Sequence, residues 1–313
     1  MNGLDRTVEV LRTVLPVLLT LGLGVLCRRK KILTRSGVDA LKTVAVQIGL
    51  PAVLLHTFAV TEYSLSTLVI PLIMFLVCVL AWFLGKWAGR ALGLESRFVP
   101  FLTTGFEAGM LGYALFTLLY GADRLADFAR VDLGQVLFVF TLYKVLLGLE
   151  EEKGPSLGRL LKEMALSPII IAIAAGVILG ATGLYRALIP SGAARVLDAC
   201  TDFVSAPVSV LILIAVGYDL VLQDIPWRSA LKAAGLRLGL MAVLGAGVLL
   251  LFKALWPETR WETAVPLMFL LPPPFVLPVF SRDEGERAYV SSVLSLSTLA
   301  AMIGFVILAA IAK

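Results

Sequence analysis

The 313 residues are 59% hydrophobic and only 16% charged, which leaves more apolar surface than a water-solvated domain can hide. A chain solvated by lipid carries that surface without cost, and its net charge of +5 then reflects loop topology rather than nucleic-acid binding. The apolar runs are continuous rather than alternating and are long enough to cross about 30 Å of hydrocarbon, so helices are expected and a strand barrel is not.

Taken in chain order, ten spans are expected, over 8–27, 38–60, 67–88, 99–120, 131–149, 166–188, 202–222, 229–255, 263–281 and 288–312. The fold class is therefore an all-α polytopic membrane protein. The first run follows Arg6 and Arg12 in the manner of a signal peptide, but Arg28, Arg29, Lys30 and Lys31 come next instead of a small-residue cleavage site. It reads as the first membrane helix. Cys27, Cys78 and Cys200 lie in or beside apolar runs, with no CxxC pair or His cluster. They read as small buried hydrophobes, and no metal site is expected.

The connection 150–165, with Glu150, Glu151, Glu152, Lys153, Gly154 and Pro155, reads as a solvated linker. It separates a first five-helix unit at 1–149 from a second at 166–313. Lys and Arg concentrate on one side, led by Arg28, Arg29, Lys30, Lys31 and Arg35 in the first loop. That side is expected to be cytoplasmic, which puts both termini outside the cell membrane.

The two units resemble each other. Leu15–Leu26 matches Ser167–Gly180, Ser36-Gly37 precedes Pro51 much as Ser191-Gly192 precedes Pro207, and Tyr120–Asp132 matches Phe280–Ser292. An odd number of spans per unit inserts the second copy upside down, and inverted repeats are a transporter signature.

Two spans at equivalent places are poor helices. The fourth carries Gly105, Gly109, Gly112 and Gly121; the ninth carries Pro266, Pro272, Pro273, Pro274 and Pro278. A proline run cannot continue a helix, and the carbonyls it frees cannot face lipid. A paired broken-helix site follows, with half-helices starting near Met110 and Phe275 that aim their N-terminal N–H groups at the midplane. Glu107 sits at the first break, where an intramembrane carboxyl points to proton coupling or to contact with a cationic group. The candidate substrate and coupling residues are Glu107, Thr104, Gly105, Gly109 and Met110 with Pro272, Pro273, Pro274 and Phe275.

Secondary candidates are Gln47, placed to bond carbonyls loosened by Pro51, together with Ser295 and Thr298, which either line a cavity or bond back to their own helix. Arg237 and Lys144 are expected to snorkel to the cytoplasmic interface; Arg237, the deeper of the two, is the better internal partner. His56 reads as a packed neutral imidazole. No nucleophile constellation or nucleotide loop appears.

Ile48–Ala59, Thr103–Tyr113, Ser167–Gly180 and Ala206–Leu220 together give the chain its family likeness. It resembles the auxin efflux carrier family, a group of permeases that includes prokaryotic malonate or malate carriers, from about Leu15 to Leu308. The resemblance implies ten helices with both termini outside, arranged as an elevator like that of bile-acid/sodium symporters. It implies a scaffold of spans one, two, six and seven, a homodimer, and a moving core of spans three to five and eight to ten in which four and nine cross. The Asn and Gly-x-Pro pattern usual at the first crossover is replaced here by Glu107 and Gly112-Tyr113, so dicarboxylate specificity does not carry over directly.

The expected function is that of a secondary transporter for a small organic solute, an organic anion by the character of the site, coupled to protons through Glu107. The alternatives are a sodium symporter of the bile-acid type and, further off, a channel or membrane receptor. No enzymatic role and no cofactor beyond a coupling H+ or Na+ are expected.

Overall fold

The computed structural model describes residues 3–61, 63, 65–149, 156, 158–159, 162, 165–220 and 227–312. The expected linker at 150–165 falls mostly outside them. Seven helices among the described residues are long and apolar enough to cross a membrane, and no strand occurs there. The chain is an all-helical, polytopic membrane protein.

The long helices are α1 (Gly3–Arg29), α2 (Arg35–Val60) and α3 (Leu65–Ala91). The fourth span is broken: a single turn, Val99–Leu102, precedes α4 (Ala108–Tyr120). α5 (Ala122–Gly148) starts well before the expected 131. The sixth span divides into α6 (Pro168–Ala181) and the short helix Leu184–Leu188. Gly183 between them takes a left-handed φ of 72°, the usual way for a helix to end. α6 is therefore only about 21 Å long at 1.5 Å per residue. After it come α7 (Ala193–Asp219), α8 (Trp227–Leu255), α9 (Trp261–Leu270) and α10 (Glu284–Ala312). The ninth span is helical only to Leu270, not to 281, because Pro272–Pro274 follow at once.

Local chemistry explains several boundaries. Thr34 caps α2 by accepting a hydrogen bond from the Gly37 N–H at 3.1 Å, satisfying a donor that the first turn leaves free. In the middle of α2 one wide turn, Ala45–Gly49, precedes Pro51. In α7 the helix breaks outright instead, at the turn Ala206–Pro207 between Ser205 and Val208.

α1 packs on α7 and α2 on α6, while α3 packs on α5 and α8 packs on α9 and α10. Glycines let the first two pairs approach backbone to backbone. A Cβ on Gly217 in α7 would stand 2.9 Å from the Leu21 Cα in α1, and one on Gly176 in α6 would stand 2.7 Å from the Leu55 carbonyl in α2. Without a hydrophobic drive between helices in lipid, such close contact supplies the packing energy.

Replacing Gly217 or Gly176 by leucine should force these pairs apart and cost about 1–3 kcal/mol or more. Thermal unfolding in detergent should show a clear drop for both variants, with no change for Gly247→Leu, where an added side chain meets open space.

Candidate functional site

Both broken spans are shaped by residues that cannot continue a helix. Gly105 has φ of 68°, and a Cβ there would lie 3.0 Å from the Pro274 ring. Only glycine combines that conformation with that approach. On the other segment Leu271 is extended (φ −61°, ψ 149°) and Pro272, Pro273 and Pro274 are buried. Three prolines in a row remove three N–H groups that a buried break would otherwise have to satisfy. The breaks meet and are joined by one backbone bond, from the Glu107 N–H to the Pro272 carbonyl at 2.9 Å.

The polar groups that the breaks release are met by two opposite charges. Glu107 caps α4: its Oε1 accepts from the Met110 N–H at 3.2 Å, and its carbonyl accepts from Leu111 and Gly112. Its Oε2 accepts from the Phe275 N–H at 2.6 Å on the other segment. A negative charge at a helix N-terminus also complements the helix dipole. At the C-terminal ends stands Arg237 of α8, 1% exposed. Its guanidinium donates to the carbonyls of Leu102 (3.0 Å), Gly105 (2.8 Å) and Leu271 (2.7 Å) and lies 5.7 Å from the Phe106 ring centre.

Two expectations are corrected here. Arg237 does not snorkel, because the breaks offer it three carbonyls inside the protein. The Lys144 ammonium lies 4.5 Å from the centre of the Phe140 ring. No half-helix of useful length starts at Phe275, since only one tight turn, Leu277–Phe280, follows. A single N–H, not a helix dipole, reaches Glu107 from that side.

Behind the crossing lies a second polar group that sequence reasoning missed. The Phe106 N–H donates to Gln135 Oε1 at 3.3 Å, the Gln135 amide donates to Asp132 Oδ1 at 2.7 Å, and Tyr113 Oη lies 2.9 Å from Asp132 Oδ2. Asp132 is 2% exposed. The expected fifth span, 131–149, left this acid at its edge and unconsidered; the helix starts at Ala122, so Asp132 lies well inside it. The i, i+3 spacing of Asp132 and Gln135 in an apolar run was the available signal. Thr104 is also buried and donates to the Cys78 carbonyl at 2.7 Å.

In front of the crossing is a cavity of about 970 Å³. Gln47, Met110, Phe275, Ser295 and Thr298 come together in its wall. Gln47 is exposed there, so it serves the cavity and not the carbonyls before Pro51; Pro51 itself does not line it. Thr298 both lines the cavity and bonds back to the Leu294 carbonyl at 2.8 Å. Gly109 packs toward Leu50, where a Cβ would meet the side chain at 3.2 Å. Thr104, Gly105, Arg237 and Pro272–Pro274 are buried and do not line the cavity.

Charges collect on the cavity wall. Asp219 at the end of α7 pairs with Lys42 and, at 2.6 Å, with Arg35, which also lies 3.4 Å from Asp39; Arg287 joins them. His56, near the other end of α2, is not merely packed, since its Nε2 lies 3.2 Å from Asp198. Of the three cysteines only Cys78 is fully buried; Cys200 is exposed.

Arg237→Met should leave three buried carbonyls without a donor, at a cost of about 3 kcal/mol or more. Thermal unfolding should fall accordingly, and amide exchange should rise over 102–107 and at Leu271 and Phe275. Arg237→Lys should recover part of the loss, because an ammonium keeps the charge without the planar fork.

No family model matches the chain. It is similar over nearly its whole length to an uncharacterized transporter of Methanothermobacter thermautotrophicus, with 25% identity over 301 residues, 93% of this chain and 94% of that protein.

Proposed function

We propose that the chain is a secondary transporter, not an enzyme, and that it moves a small organic anion across the membrane by alternating access. One observation carries this reading: two interrupted spans cross at Glu107 beside a cavity large enough for a metabolite. Irregular backbone at membrane depth is tolerated where protein or a cavity receives its polar groups, and transporters bind solute there. The similarity to an uncharacterized transporter points the same way. The anion preference rests on Lys42, Arg35 and Arg287, which outnumber Asp39 and Asp219 around the cavity.

The packing supports two inverted five-helix units. Exchanging α1 with α6 and α2 with α7 turns the α1–α7 contact into the α6–α2 contact, and each uses close-approach glycines. The same exchange turns α3 packed on α5 into α8 packed on α10. In this reading α1, α2, α6 and α7 form a scaffold, with a second copy as partner. The other helices move as a unit in the auxin-efflux-carrier manner. The Lys/Arg-rich side is cytoplasmic, both termini lie outside, and the cavity opens inward beside Arg35 and Lys42.

Proton coupling through Glu107 is favoured over sodium coupling by the place of Arg237. A sodium ion at the crossing needs the oxygens of unwound backbone, and Leu102, Gly105 and Leu271 already give theirs to the guanidinium.

Purified protein screened by thermal shift against a panel of organic anions should show stabilisation by at least one of them. Uptake of that anion into proteoliposomes should follow a proton gradient and ignore a sodium gradient. Glu107→Gln should abolish gradient-driven accumulation while solute exchange persists. Lys42→Gln should weaken anion binding about tenfold, the loss expected for one charge-assisted contact. Pro273→Ala should reduce transport more than expression. Uptake driven by sodium alone, or conductance without saturation, would overturn the reading.

A further inference from the structure

We propose that Asp132 is a second proton-binding site, separate from Glu107, whose protonation is read by the break in the fourth span and by the helix that follows it. This rests on the transporter reading for its purpose but not for its chemistry.

The hydrogen-bond pattern distinguishes the two carboxyls. Each Glu107 oxygen faces a backbone N–H, from Met110 or Phe275. Such groups can only donate, so in this conformation both oxygens accept, and a proton on either would displace one of these bonds. At Asp132 only one side is fixed. Gln135 Oε1 is committed to the Phe106 N–H, which forces its amide nitrogen to donate to Asp132 Oδ1. Oδ2 faces the Tyr113 hydroxyl, and a hydroxyl can donate or accept. When Oδ2 takes a proton, the new O–H donates to Tyr113 Oη and the phenol hydrogen rotates away. The contact survives with its direction reversed, so Asp132 holds either state without losing a partner.

The charged and titratable surroundings agree with a role for such a site. Cys78 of α3, Tyr113 of α4 and Glu107 at the crossing interact electrostatically with Asp132, while Arg237 of α8 acts on Cys78 alongside it. Of the other helices packed on α5, α9 contributes Glu262, which is paired with Lys253, and the second half of α2 contributes His56, which is paired with Asp198. The buried centre thus holds Glu107 and Arg237 with opposite charges, and protonation of Asp132 leaves it neutral. Burying a net charge in such a medium is costly.

The bonded chain then gives the proton a mechanical consequence. Phe106 lies within the break and Tyr113 on the helix after it, and both are tied to α5 through Gln135 and Asp132. Because Asp132 is only 2% exposed, taking up or releasing the proton requires this packing to open. Proton exchange and movement of the crossing are therefore linked.

Infrared difference spectra of the full chain in liposomes, between about pH 5 and about pH 9, test the site without any solute. The expected result is a protonated-carboxyl C=O stretching component, distinct from that of Glu107, that is lost in Asp132→Asn and persists in Glu107→Gln. An unchanged band in Asp132→Asn, or no protonated carboxyl at any pH, would overturn the proposal. Tyr113→Phe provides an independent check: loss of the hydroxyl should shift the band, and an unshifted band counts equally against the site. If the band behaves as expected but no anion is transported, the transporter reading fails and the proton site stands. If transport follows the proton gradient and the band is indifferent to Asp132, the reverse holds.

Discussion

The three hydrogen bonds from the Arg237 guanidinium to the carbonyls of Leu102, Gly105 and Leu271 are the contact on which the centre of this protein depends. Two helices stop inside the apolar layer, and each leaves carbonyls that hydrocarbon cannot solvate. A planar fork with five donors can serve both stops at once, which a point charge cannot. The arginine of α8 thereby satisfies carbonyls of both breaks at once.

Glu107 is the counterpart at the opposite polarity. It receives N–H groups from both segments, and its own backbone N–H closes the crossing on Pro272. A cation at the helix C-termini and an anion at the N-terminus of α4 follow the sense of the helix dipoles. The prolines and Gly105 perform the complementary task. Prolines reduce the number of donors to be satisfied, and the glycine permits the left-handed turn against Pro274. Both ionic groups hold the architecture together.

This arrangement separates the centre into two faces. Toward the cavity lie Met110, Phe275, Gln47 and the hydroxyls of α10, with Lys42, Arg35 and Arg287 around them. Away from it lie Thr104, Gln135, Tyr113 and Asp132, each held by a neighbour. A solute bound on the first face is thus one layer of backbone away from a bonded carboxyl on the second.

Much of this was legible in the residues themselves. Apolar run length sets the membrane class, because about 20 such residues match the bilayer wherever they lie in the chain. The positions of Gly105 and Pro272–Pro274 mark both breaks, since backbone constraint is a local property. Glu107 stands out because a carboxyl in an apolar run is costly unless a partner or a proton neutralises it. What sequence could not supply was partnership. It sent Arg237 to the interface, gave Phe275 a helix that does not form, passed over Asp132 and put Cys200 in the interior. Each of these depends on which groups lie across the crossing or where a helix starts, and hydrogen bonds between residues more than a hundred positions apart leave no local trace. The sequence alone determined that the chain crosses the membrane and where its helices must fail; the tertiary structure alone decided which side chains satisfy the backbone there, because that is settled by proximity in space.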